Sequence, residues 1–208
     1  YGKRPVELMD EIGLFDRHVL GAHVVHVNEH EIEILAEKKV GVAHNPQSNM
    51  KLASGIAPVT KMLKKGIPVA LGTDGASSNN NLDMIEEMRS ASLLQKVANM
   101  DPTSIPAYQA IEMATRNGAL ALKMEQEIGQ IAVGKKADLI LVDFEKPHLY
   151  PRHDPAAHLV YAAQAADVKT VIIDGKVIME NRQVLTLDEE RILYETEKCA
   201  RKLVDRVK

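Results

Sequence analysis

The stretch VALGTDGASSNNN, Val69 to Asn81, runs from an apolar segment into one carboxylate, Asp74, and then into seven small or amide residues. A strand that ends on an Asp, with no large side chain after it, can leave room for a ligand. The alternative is local: Asp before Gly commonly bends a chain and bonds its own backbone. Two further apolar runs precede this one. Val19-Leu-Gly-Ala-His23 leads to a capping-box pattern at Asn28 and a helix carrying Ile32, Leu35 and Ala36. Val40-Gly-Val-Ala-His44 leads into a long structured loop and a helix around Pro58 to Lys65, stopped by Gly66. After Asp74 comes a helix with Leu82, Ile85 and Met88 at helical spacing.

Strands followed by helices at ~25–30-residue intervals indicate βα units and a parallel sheet. Three such units do not close a barrel, but they suit the last three of eight, and the C-terminal strand ends of a (β/α)8 barrel carry its chemistry. The expected class is therefore α/β: strands 6–8 of a TIM-like barrel with their helices, plus part of a small β-sandwich. Residues 1–125 form the barrel portion, 126–187 the sandwich portion and 188–208 a C-terminal helix. Within this plan 104–124 is helical, and 128–131 and 137–143 read as strands. Residues 168–178 read as a hairpin with a type I′ turn at Asp174-Gly175. The chain opens without Met close to a helical pattern from Pro5 to Gly13, which reads as the cut end of a longer protein.

Composition excludes several functions. Among 208 residues, 26 Lys and Arg against 29 Asp and Glu leave a net charge of −3, which is no basic footprint. Aromatics make up 3% and Trp is absent, so a base-stacking surface is not expected, and neither is nucleic acid as a partner. A single Cys199 rules out an internal disulfide and the paired-cysteine zinc deaminases. No apolar run approaches the ~20 residues of a membrane span. A cytoplasmic location is the expectation.

The candidate chemistry lies at the strand ends. His23 suits a metal ligand or a base that orients a metal-activated water. His26, three residues on, is a weaker competitor. His44 and Asn45 are candidates for pocket lining, while Ser48 and Asn49 read as residues that bond the loop backbone. His148, His153 and His158 lack ligand spacing, and neither a Gly-rich phosphate loop nor a G-x-S-x-G elbow is present.

Three segments, His23 in AHVVH, His44 in HNPQSNMKLASG and Asp74 in GTDGASSNNNLDM, resemble the last barrel strands of the amidohydrolase superfamily. IGQIAVGKKADLI, Ile128 to Ile140, resembles the strand pair that leads into that family's small β-rich domain. The likeness covers essentially the whole chain and is nearest to the 5-methylthioadenosine/S-adenosylhomocysteine deaminase group. It implies one divalent metal, usually zinc, with Asp74 as the last of four ligands and three histidines in an N-terminal half that precedes this chain. It further implies that Asp74 takes the proton of the attacking water and passes it to the leaving ammonia. His23 would orient that water as it adds to C6 of adenine. Ser78 and Asn79 are substrate contacts by position only. The implied substrate is a small adenine nucleoside, and family members often form homo-oligomers. Triazine hydrolysis or guanine deamination is the alternative within the superfamily, and a non-catalytic scaffold the alternative outside it. Alone, these residues are expected neither to bind zinc tightly nor to turn over.

Overall fold

The computed structural model describes residues 2–206. It divides into two compact units. One runs to Lys135 and takes in Glu145–Ala165; the other holds Lys136–Phe144 and the described residues from Ala166 on.

The first unit opens with α1 (Pro5–Glu11), begun by a proline that supplies the helical φ without needing a hydrogen bond. Strand β1 (Leu20–Ala22) follows, then α2 (Glu29–Glu37). The capping box at the start of α2 forms reciprocally. Asn28 Oδ1 accepts from the Glu31 N–H at 2.8 Å, and Glu31 Oε2 accepts from the Asn28 N–H at 3.0 Å. Ile32 and Leu35 are buried as the helical spacing requires. Strand β2 (Gly41–His44) comes next.

The expected long loop after His44 is not a loop throughout. Residues Pro46–Lys51 form α3, with Pro46 at its first position. The polar side chains of that segment hide the helix, because its buried face is lined by Ser48 and Asn49 rather than by aliphatics. Helix α4 (Val59–Lys64) then ends before Gly66, whose φ of 78° reverses the chain. Strand β3 (Val69–Leu71) and the single-turn α5 (Ala76–Asn79) lead to α6 (Met84–Asn99). Asp83 caps α6, accepting from the Ile85 N–H at 2.8 Å. Leu82 therefore lies outside the helix expected to contain it, and it is exposed.

The expected single helix over 104–124 is two, α7 (Ala107–Ala114) and α8 (Arg116–Ala121). They break at Thr115, whose hydroxyl donates to the Ile111 carbonyl at 2.7 Å and whose φ and ψ are −128° and −89°. Residues 128–131 do not form the expected strand. Lys135 Nζ donates to the carbonyls of Glu125 and Ile128, and Gly129 has φ 88°, so the segment closes on itself and leaves Ile131 exposed.

The three strands pair in the order β1-β2-β3, all parallel, with Leu20 opposite Gly41 and Val42 opposite Val69. Strand β3 is buried along its whole length, as parallel strands covered on both faces are. Val42, Val59, Met62, Val69, Ala110 and Met113 form the fully buried core between sheet and helices. Helix α9 (Pro155–Tyr161), capped by Asp154, packs on α6 and α7.

The second unit is a four-stranded antiparallel sheet, with strands β4 (Leu139–Val142), β5 (Val168–Ile173), β6 (Lys176–Glu180) and β7 (Gln183–Val184) in that order. The β5–β6 turn has φ 49° at Asp174 and 75° at Gly175, the two positive values a type I′ turn requires. Strand β4 is shorter than the expected 137–143. Helix α10 (Glu189–Asp205), capped by Asp188, buries none of its residues; the last two residues of the expected helix lie outside the described ones. The chain is thus a mixed α/β protein.

Candidate functional site

At the C-terminal ends of β1 and β3 the chain enters a conformation that L-residues rarely hold. His23, Val24 and Asp74 have φ of 67°, 44° and 60°. Such left-handed positions cost on the order of 1–3 kcal/mol each and survive where the surroundings over-determine them. At His23 the determinants are visible. Its N–H continues the ladder to the Ala43 carbonyl at 2.9 Å, and the Val24 N–H turns back to the Ala22 carbonyl at 2.9 Å. The side chain is swung off the strand end, toward Asp74.

His23 Nε2 lies 3.8 Å from Asp74 Oδ2. On the other side of the ring, Nδ1 meets Asn49 Oδ1 at 2.9 Å. With Nδ1 engaged by that amide, Nε2 is the nitrogen that faces Asp74. Asn45 Nδ2 sits farther from Nδ1, at 3.4 Å, and donates to the Ala43 carbonyl. Asn45 is buried where β2 ends. A Cβ on Gly72 would stand 2.5 Å from its Oδ1, so any larger residue there would have to push that amide aside.

Asp74 is held from three sides. The hydroxyls of Ser48 and Ser78 each donate to Oδ2 at 2.7 Å, and the Gly75 N–H donates to Oδ1 at 2.8 Å. These three donors, led by Ser78, hold the carboxyl down at a pKa of about 2, and His23 lowers it slightly further. Asp74 is thus a carboxylate throughout the neutral range. An open cavity of about 430 Å3 lies over the pair, lined by His23, Asp74, Asn49, His26, Val25 and Leu52, with Ser54 at its edge. His26 Nε2 bonds the Ser54 carbonyl at 2.8 Å.

His44 and Asn79 face inward instead. His44 is fully buried, and neither ring nitrogen has a hydrogen-bond partner. Burial pushes its pKa down to about 4, with His23 adding to the effect, so its ring is neutral at pH 7. Asn79 Nδ2 donates to the Thr73 carbonyl at 2.7 Å and to Glu87 Oε1 at 2.6 Å. Glu87 is fully buried, and burial pushes its pKa up to about 7.

The sequence reading did not reach Glu87, and it treated Ser48 and Asn49 as backbone-bonding loop residues. The signal available was Pro46 followed by Gln47-Ser48-Asn49, which fits the first turn of a helix as well as a loop. His148, His153 and His158 stand apart from this cluster in sequence, and both ring nitrogens of His158 bond local carbonyls, of Asp154 and Pro151.

Among the described residues no group of three or more His, Cys, Asp or Glu side chains is gathered to hold a metal ion. His23 and Asp74 form a two-donor set, one imidazole and one carboxylate that rests ionised at neutral pH, which suits part of a zinc site but not all of it. Among the described residues no helix is long and apolar enough to cross a membrane.

The parallel βα units end in this His23–Asp74 pair, and the family follows from comparison. The profile of the Amidohydrolase family matches residues 1–178, and the chain belongs to that family. It is 62% identical over 206 residues to the 5-methylthioadenosine/S-adenosylhomocysteine deaminase of Pelotomaculum thermopropionicum, covering 99% of this chain and 47% of that protein. The deaminase of the same description from Syntrophomonas wolfei is 60% identical, covering 98% and 48%. Among solved structures, a zinc-bound adenosine deaminase from Xanthomonas campestris matches with a TM-score of 0.93 at 38% identity, covering all of this chain and 46% of that one. Zinc-complexed atrazine chlorohydrolase from Arthrobacter aurescens matches at 0.89 and 29% identity, covering 95% and 44%. The chain spans about half the length of the curated relatives it matches.

Proposed function

We propose that this chain is the C-terminal part of a metal-dependent deaminase that converts S-adenosylhomocysteine or 5-methylthioadenosine to the inosine analogue and ammonia. The observation that carries the proposal is the meeting of His23 and Asp74 at 3.8 Å from the ends of two different strands, each in a strained backbone. The identity to proteins described as such deaminases supports the substrate class. In this reading β1, β2 and β3 are the last three strands of an eight-stranded barrel, residues 1–125 belong to it, and 126–187 contribute to a small β-sandwich.

Asp74 would hold the metal, with the remaining ligands in the half of the protein that this chain does not span. Zinc, when bound, supplies a water acidic enough to attack at neutral pH. Asp74 would accept the proton of the attacking water and hand it on to the departing amine. His23, oriented through Nδ1 by Asn49, uses Nε2 to align the attacking oxygen and to steady the charge that develops. Ser48 and Ser78 aim the carboxylate. Ser78 grips the carboxylate, while His44, Asn45 and Asn79, the other candidates for substrate contact, are buried outside the lining of the cavity. A cytoplasmic homo-oligomer is the expected setting.

The test is ammonia release by a polypeptide of the relatives' full length that carries this chain. The panel is S-adenosylhomocysteine, 5-methylthioadenosine, adenosine, guanine and a chlorotriazine, each with and without a chelator. Chelator-sensitive release from the thioether nucleosides, abolished by Asp74→Asn, is the expected result. Turnover of the triazine or guanine alone would keep the first-step chemistry and refute the substrate. Activity that survives chelation and Asp74→Asn would refute the mechanism.

A further inference from the structure

The two hydroxyls that grip Asp74 Oδ2 come from opposite sides, Ser48 on α3 and Ser78 on α5, and each sits beside a residue held by the same buried carboxyl. Glu87 Oε2 accepts from the Gln47 N–H, next to Ser48, at 3.3 Å. Glu87 Oε1 accepts from Asn79 Nδ2, next to Ser78, at 2.6 Å. The second hydrogen of that amide goes to the carbonyl of Thr73, the residue before Asp74. Glu87 lies one turn into the 16-residue α6, whose N-terminus Asp83 caps, so the carboxyl stands on a rigid support.

We propose that Glu87 is a positioning residue for Asp74: one buried carboxyl ties together both serine arms and the backbone entering the ligand. Both of its partners are donors, so both of its oxygens must accept. Glutamine in the same place offers one acceptor and one NH2, which would face either the Gln47 N–H or the Asn79 NH2, donor against donor. The isosteric substitution therefore cuts one arm while leaving the volume of the core unchanged. Supporting groups around a ligand characteristically change metal affinity about 10–100-fold when lost.

The inference rests on Asp74 being a metal ligand, as proposed above, and its readout is zinc affinity rather than turnover. Zinc dissociation constants are measured by competition with a chromogenic chelator on the full-length polypeptide. The proteins compared are wild type, Glu87→Gln, Asn79→Ala and the double variant, and the thermal midpoint of each zinc-free protein is recorded. The expected result is a loss of about tenfold or more in zinc affinity for each single variant. The double variant should lose less than the two single losses combined, because both variants weaken the support of one carboxylate. Zinc affinity within about twofold of wild type in Glu87→Gln, with only a lowered thermal midpoint, would overturn the proposal and leave Glu87 a structural residue. If Glu87→Gln does not fold, Asn79→Ala decides alone on the same two criteria. A wild type that binds zinc but deaminates no nucleoside sinks the substrate assignment and leaves this inference standing. A wild type that binds no zinc overturns both.

Discussion

Gly41 is the position where the sheet is most intolerant of a single added carbon. A Cβ there would stand 2.7 Å from the Ala121 carbonyl oxygen, 2.9 Å from its Cα and 3.0 Å from its Cβ, where ordinary contact begins at 3.4 Å. None of these atoms can rotate away, so α8 or β2 must retreat by roughly half an ångström, an overpacking that costs about 1–3 kcal/mol. Gly41 is on the central strand. Its displacement pulls on the His23 N–H to Ala43 bond on one side and on the Gly72 N–H to His44 bond on the other. Gly41→Ala should therefore lower the thermal midpoint by about 2–12 °C for a chain of this size. Gly118→Ala is the control on the same helix. No atom lies within 4 Å of its would-be Cβ, and removing a helical glycine should stabilise by about 0.5–1 kcal/mol. The assay is thermal unfolding followed by circular dichroism on the three proteins side by side. A Gly41→Ala midpoint equal to wild type, or an equal drop in Gly118→Ala, would refute the close-approach account.

Two further outcomes are expected. Asn28→Ala removes the acceptor that caps α2 and should cost about 1 kcal/mol, read as a fall of about 2–4 °C in the thermal midpoint, whereas Asn28→Ser should keep most of it; equal losses in both would dismiss the cap. His44 has a folded pKa of about 4 against an ordinary 6.5, so the native state excludes a proton that the unfolded chain accepts. Its contribution is fully present above pH 6.5 and is lost as pH falls from 6.5 through 4, by up to roughly 3 kcal/mol. Glu87, raised to about 7, acts in the opposite sense, gaining stability as pH falls from 7 to 4.5. The quantity to compare is therefore the urea midpoint of wild type minus that of His44→Leu across pH 7 to 4, which should decline, and a constant difference would show that folding leaves the pKa of His44 unchanged.

Several elements were legible because their causes are local. The capping box at Asn28 and Glu31 and the Asp174-Gly175 turn each lie within a few residues of the bonds they make. The three apolar runs ending in His23, His44 and near Asp74 were legible because strands of a parallel sheet read as apolar runs, and β2 and β3 are largely buried. Helix α3 was not, since its buried face is polar and finds its partners, Asp74 and His23, about 26 residues away along the chain. The expected strand at 128–131 failed for a related reason: its apolar residues suit a ladder, but among the described residues none pairs with them, and Lys135 folds the segment back onto its own carbonyls.

By itself, the sequence determined which residue types stand at the strand ends, and hence that a carboxylate and an imidazole are available for hydrolytic chemistry. Only the tertiary structure decided which groups act on them. The serine pair on Asp74, the amide on His23 and the buried Glu87 behind both arms come from three different elements. Hydrogen bonds between elements depend on how the elements pack, and no spacing along the chain encodes a distance across it.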